Sequence, residues 1–175
     1  MKKYLSFTAV LFLVAYACYG QQKREGYLLS WPDQEHWKVG SSHDNDQMFM
    51  VELTRDSESL TNWTEMGSMI SYKGVTGKNV EEMRDSFFTT TKKSCPNAKL
   101  TTLSKDLSAK YPSIIFSIEC SGYADGSGPE SQVWQVVQGQ YGLYVNQRDL
   151  KVSIIPEKVK MKFVEFFRTG KVVLY

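Results

Sequence analysis

Four charged residues stand in otherwise apolar, strand-like stretches: Glu52, Glu65, Glu119 and Arg148. Alternation groups Glu52 with Met48 and Met50, and Glu65 with Trp63 and Met69. On a buried face such charges must pair, because unpaired burial is costly. Three carboxylates and one guanidinium beside Trp63 and Trp134 would then line a polar-aromatic pocket. The chemistry open to that pocket is acid–base hydrolysis of a carbohydrate or peptide by Glu52, Glu65 and Glu119. A glycosidase-like reaction needs two carboxyl groups about 5–9 Å apart across an open cleft. The plainer reading makes all of them ordinary outward residues of a solvated face, as antiparallel sheets often leave one side wet.

Other chemistry finds less purchase. The sequence contains no G-x-S-x-G and no H-E-x-x-H. Gly74-Val75-Thr76-Gly77-Lys78 has the wrong spacing for a phosphate loop, and Asn79 occupies the place of the magnesium-binding Ser or Thr. A turn leading into a helix accounts for it. His36 and His43 with Asp44 and Asp46 offer the right donor types for a metal but an incomplete ligand set, and turn-forming Asn and Asp explain the cluster. Lys158, Lys160 and Lys162 are diluted by Glu157 and Glu165 and read as the solvated side of a helix. No metal and no cofactor are expected.

The N-terminus points to export. Lys2 and Lys3 precede a mostly apolar run from Tyr4 to Ala17, which ends at Gly20-Gln21-Gln22-Lys23-Arg24. Spanning a bilayer takes about 20 apolar residues, so 1–20 reads as a signal peptide rather than an anchor. Cleavage after Gly20 would release a soluble chain beginning at Gln21. Ala15-Tyr16-Ala17-Cys18 also resembles a lipobox, with departures at Ala15 and Tyr16, and on that route Cys18 would carry lipid. Beyond Gly20 the nineteen acidic residues meet nineteen basic ones. A neutral chain without a basic block lacks the footprint of a nucleic-acid binder. Cys95 and Cys120 remain as an even pair, which an oxidising compartment favours as a structural disulfide worth roughly 3.5 kcal/mol.

The elements that must position these residues follow from periodicity. Gly26–Trp31 and Trp37–Val39 are short extended candidates, separated by the turn-rich 40–46 from a strand over 47–54. A second strand covers 63–72. Asn79 can cap a helix running to Lys93 or Ser94, with Val80, Met83 and Phe87 on one side and Pro96 blocking continuation. Strand-like stretches follow at 100–106, 113–121, 131–138 and 141–150, the last two joined as a hairpin. A second helix starts at Pro156, carries Val159, Phe163, Phe166 and Phe167 as its apolar stripe, and stops at Gly170. Lys171–Tyr175 is left as an apolar tail. Residues 21–175 thus read as one globular α+β domain, a mostly antiparallel sheet flanked by helices.

Several segments, in their order and spacing, resemble a group of small exported bacterial proteins with the PsbP-like fold. They are Asn62-Trp63-Thr64-Glu65-Met66 entering a strand, the helix followed by Cys95 with Cys120 closing the 113–121 strand, and Gly142-Leu143-Tyr144-Val145 through Arg148 before a terminal amphipathic helix. The likeness spans about residues 37–170. It implies an α/β/α sandwich, usually non-catalytic and serving assembly or accessory roles, and supplies no catalytic set. The expectation is therefore a periplasmic or secreted, non-enzymatic binding or accessory module of the cell envelope. It would act as a monomer on an envelope protein or small ligand, through Trp63, Trp134 and the neighbouring charges. It would touch the membrane only if Cys18 is lipidated. The competing expectation is the carboxylate hydrolase.

Overall fold

The computed structural model describes residues 24–175. The expected signal peptide over 1–20 and Cys18 therefore lie outside the described residues. Seven strands form one antiparallel sheet: β2 (Trp37–Asp44), β3 (Met48–Arg55), β4 (Glu65–Lys73), β5 (Lys99–Asp106), β6 (Ser113–Cys120), β7 (Glu130–Gln138) and β8 (Gly142–Leu150), in the order β2-β3-β4-β8-β7-β6-β5. Two meanders build it. The first is β2-β3-β4; helix α1 (Val80–Ser94) then carries the chain across one face to the far edge, and β5 to β8 return until β8 pairs with β4. Helix α2 (Glu157–Arg168) crosses the opposite face. The terminal strand β9 (Lys171–Leu174) pairs with β1 (Glu25–Leu28) in a separate ribbon. The tail read as merely apolar is thus a strand, and its partner is the first extended segment.

Helices on both faces explain the composition of β6. Ile114, Phe116, Ile118 and Cys120 pack in the layer under α1 with Val136, Leu143 and Val145. Ile115 faces the other way, with Val133, Ile155, Phe163, Val164 and Phe167 under α2. A strand covered on both sides reads as a continuous apolar run. Each fully buried Phe or Ile contributes about 1.5–3 kcal/mol relative to exposure. Cys95, just past α1, is bonded to Cys120 at the end of β6, with the two Cα atoms 6.2 Å apart. The bond ties the helix end to the sheet.

Local signals set the element ends. The Asn79 carboxamide oxygen accepts from the Glu81 amide at 2.8 Å and the Glu82 amide at 3.3 Å, capping α1. Gly74 and Gly77 turn into that cap with φ of +72° and +66°, a backbone region glycine enters freely.

Two expectations need correction. Residues 40–44 are not turn but strand: β2 continues to Asp44 past a bulge between Val39 and Ser41. The turn is confined to Asn45–Gln47, where the Asn45 side chain accepts from the Gln47 and Met48 amides. As an edge strand, β2 takes its hydrogen bonds from β3 alone and keeps polar side chains in water. The second concerns Lys160, which is buried in α2 with its Nζ 3.0 Å from Glu119 Oε1.

Candidate functional site

The register divides the strand charges between two faces. Arg148 pairs across β4 with Gly67, and Glu65, two residues before Gly67, shares its side of the sheet. Glu119 lies on the same α2-covered side. Glu52 opposes Ser68, which opposes Gln147, which opposes Trp134; that row belongs to the α1-covered face. The expected cluster of Glu52, Glu65, Glu119 and Arg148 with both tryptophans is therefore not assembled.

Arg148 and Glu65 instead sit in a closed ion-pair network. Arg148 Nε donates to Glu65 Oε1 at 2.9 Å, and its Nη2 reaches both Glu65 and, at 2.8 Å, Glu35 Oε2. Arg55 binds the other Glu65 oxygen and Glu35. Burial works against the Glu35 carboxylate, but the Trp37 indole N–H and the Arg148 and Arg55 guanidiniums hold its pKa below the ordinary value. Aromatic rings close around the network: the Arg148 guanidinium carbon is 4.1 Å from the Phe163 ring centroid and 5.1 Å from that of Trp37. Trp31 lies over Gly67, where a Cβ would stand 2.1 Å from the indole. Only a glycine lets the ring lie there. The Arg148 side chain is 3% exposed, so this is an internal brace rather than an open site.

Glu119 is likewise engaged, by Lys160 and by the Ile155 amide at 2.8 Å. Trp134 is stacked on Phe87 of α1, with ring centroids 4.8 Å apart, and its indole donates to Gln132. Trp63 precedes β4, outside its alternation; the Lys151 ammonium lies 4.1 Å from its ring centroid and binds Glu130 at 3.3 Å. Trp63 is thus linked through Lys151 to Glu130, which accepts from Gln132, which in turn accepts from Trp134.

Beside that chain is a carboxyl the sequence reading passed over. Asp149 is 1% exposed, and its Oδ2 has no hydrogen-bond partner among the described residues. Burial pushes its pKa well above the ordinary value, and Glu130 and Glu52 add to this against the Gln147 hydrogen bond and Lys151. The signal for it was alternation, since Leu143, Val145, Gln147 and Asp149 share the α1 face. A raised folded-state pKa gives stability that is fully present below the unfolded carboxyl range and lost as pH rises through the folded value. The Asp149→Asn variant escapes that loss. Its melting temperature should therefore match the parent near about pH 4 and exceed it increasingly toward about pH 8. A constant offset across that range contradicts the assignment.

A separate concavity lies on the α2 side. A groove of about 690 Å³ runs between the α2 end with β9 and the β5–β6 connection, within the size range of small-ligand sites. Its inner wall includes Ile115 and Val137 from the sheet, and Val172 and Tyr111 from its two rims. The polar floor is internally satisfied: Gln135 Oε1 accepts from Tyr27 at 2.8 Å and Asn146 at 3.0 Å, while its Nε2 donates to the Phe167 carbonyl at 2.9 Å. Burial raises the Tyr27 pKa to about 12 despite the Gln135 bond, so the phenol stays neutral and donates. Lys110, Arg168 and Lys171 stand on the rim. None of the three has a carboxylate in ion-pair range among the described residues. Asp106 is the groove's carboxylate, and it is occupied by Ser108 and the Ala109 amide. These lining residues come from β1, β5, the β5–β6 connection, β6, β7, α2 and β9, so no local motif marks them.

No protein-family model matches the chain, and no curated protein sequence matches it significantly.

Proposed function

We propose that the mature chain is a non-enzymatic exported binding module of the bacterial cell envelope, holding a small ligand in the groove between α2–β9 and the β5–β6 connection. The observation that carries this reading is the groove itself: about 690 Å³ of concave surface, rimmed by cations without carboxylate partners among the described residues. The antiparallel sheet flanked by two helices accords with the PsbP-like kinship at the level of class, and we extend the proposal to that fold family. The Cys95–Cys120 bond is compatible with a periplasmic or secreted location. No helix among the described residues is long and apolar enough to cross a membrane.

The hydrolase reading has less to stand on. Glu52 is on the face opposite Glu65 and Glu119, and those two are ion-paired to Arg148, Arg55 and Lys160. Carboxylates so held do not flank a common cleft. The tryptophan surface also gives way to the groove, because the Trp134 ring stacks under α1.

The test is capture from native envelope extract by the tagged exported protein, with a groove-filled variant beside it. Ser113 is a half-buried rim residue, so Ser113→Trp fills the groove without entering the core. A species recovered in near-equal amount with the parent and lost with Ser113→Trp supports the reading. Equal recovery by both, or turnover of a glycan or peptide panel by the parent, overturns it.

A further inference from the structure

We infer that the groove selects an amphiphilic anion: one carboxylate or phosphate head on an acyl or aryl body. The inference rests on the groove being the ligand site and names the ligand's chemistry. Three features of the groove lead there. The first is charge. Lys110 and Lys171 are exposed on the rim, with no ion pair among the described residues. Arg168 Nη2 donates to Ser104 Oγ at 2.8 Å, which fixes the guanidinium and leaves its other N–H donors for a ligand. Lys105 also borders the groove, but its ammonium turns to Glu81 of α1 at 3.1 Å. It belongs to the other face. With Asp106 counted, the groove stays net positive on a mature chain that is neutral as a whole, and a concave cationic surface concentrates anions.

The second feature is what the floor withholds. Gln135 spends both ends of its amide internally. The last carbonyls of α2 are also taken: Phe167 O by Gln135 Nε2 and the Gly170 amide, Phe166 O by the Thr169 hydroxyl and amide. A helix C-terminus ordinarily repels anions through such orphan carbonyls. Here two of the four are satisfied, those of Phe166 and Phe167. The third is the wall. Val172 and the Tyr111 ring are half-buried and offer apolar contact in front of the buried Ile115 and Val137, so the body that lies against them gains by leaving water. A polar sugar or a small inorganic anion would leave that wall unused. An uncharged lipid would leave the rim cations unused.

The exported protein is titrated with decanoate, decyl phosphate, decanol and decyltrimethylammonium, each below its aggregation threshold. Amide chemical shifts locate the probe and give the affinity. At least one of the two anions is expected to bind on the order of ten-fold tighter than decanol or the ammonium, a difference of about 1.4 kcal/mol. Its shifts should centre on the amides of Ile115, Val137 and Lys171. Decanoate and decyl phosphate, compared directly, tell which head is preferred. Lys110→Gln and Lys171→Glu, both at exposed positions, should each weaken the anion several-fold and leave decanol unchanged. If decanol or the ammonium binds as tightly as the anions, the anion inference falls while the groove stands as a site. Undiminished anion binding by Ser113→Trp places the probe elsewhere and also overturns it, as does no binding of either anion. The envelope-capture experiment decides the groove reading separately.

Discussion

Replacing Arg148 with Met is expected to lower the unfolding free energy by about 3–5 kcal/mol, the cost typical of removing one partner from a buried ion pair. That is a large part of the roughly 5–15 kcal/mol available to a single domain. The residue earns this effect by its surroundings. Its side chain is 3% exposed, and it bridges Glu65, 15% exposed, and Glu35, 36% exposed. Without it, Glu65 faces the layer of Phe163, Phe166 and Trp31 with one oxygen unanswered. Arg55 still holds the other oxygen, which places the expected loss toward the lower end of the range. Arg148→Lys keeps the charge but not the planar fork that reaches two carboxylates at once, and should fall between Met and the parent. Changing Glu65 to Met together with Arg148 to Met removes both charges and should recover much of the loss, because a paired set replaced by apolar side chains is often neutral. Urea unfolding with an unchanged m-value reads all three, and Glu65→Met alone as the fourth corner of the cycle. A loss in the double variant equal to the sum of the single losses denies that the two side chains are coupled.

What the sequence disclosed, and what it hid, follows from how local each feature is. Ser113–Ser121 is a β-branched and aromatic run because helices cover both its faces. Both helix starts are legible, since a capping Asn79 and a Pro156 followed by Glu157 act within one turn. The face alternation in β3 and β4 was also readable, down to Met69 and Ile70 pointing to opposite layers. Register between distant strands was not. Nothing local to Glu65 or Glu52 says that β4 pairs with β8, and that pairing decides which charges meet. Lys160 looked like its exposed neighbours because its partner, Glu119, is on another element. Residues 40–44 looked like a turn because an edge strand needs only one partner and can carry turn-forming side chains in solvent. The groove was the least legible feature of all. Tyr27 and Lys171 come together only when β9 pairs with β1, and Lys110 reaches the same groove from the β5–β6 connection.

Opening the Cys95–Cys120 bond should cost roughly 3.5 kcal/mol, from the chain entropy released to the unfolded state by a separation of 25 residues. For a domain of this length that corresponds to a fall in melting temperature of roughly 7–14 °C. Reduction with a thiol tests the cross-link alone, because both sulfurs stay in their buried places. Cys95→Ala with Cys120→Ala adds the loss of two buried side chains, 0% and 1% exposed, from the layer of Ile114, Phe116 and Ile118. It should therefore cost more than reduction. The reduced chain also unfolds to a less constrained ensemble, so its m-value should rise. The effect should be uneven in the folded state. Ser94 accepts from the Ala124 amide at 2.8 Å, and Cys95 caps α1 through its amide to Thr91 at 2.8 Å, so the helix end and the 121–129 loop share the anchor. Amide exchange should accelerate there on reduction, while the β7–β8 hairpin stays protected. Uniform acceleration across both regions means the bond supports only global stability. An unchanged melting temperature means that the two cysteines do not restrain the chain.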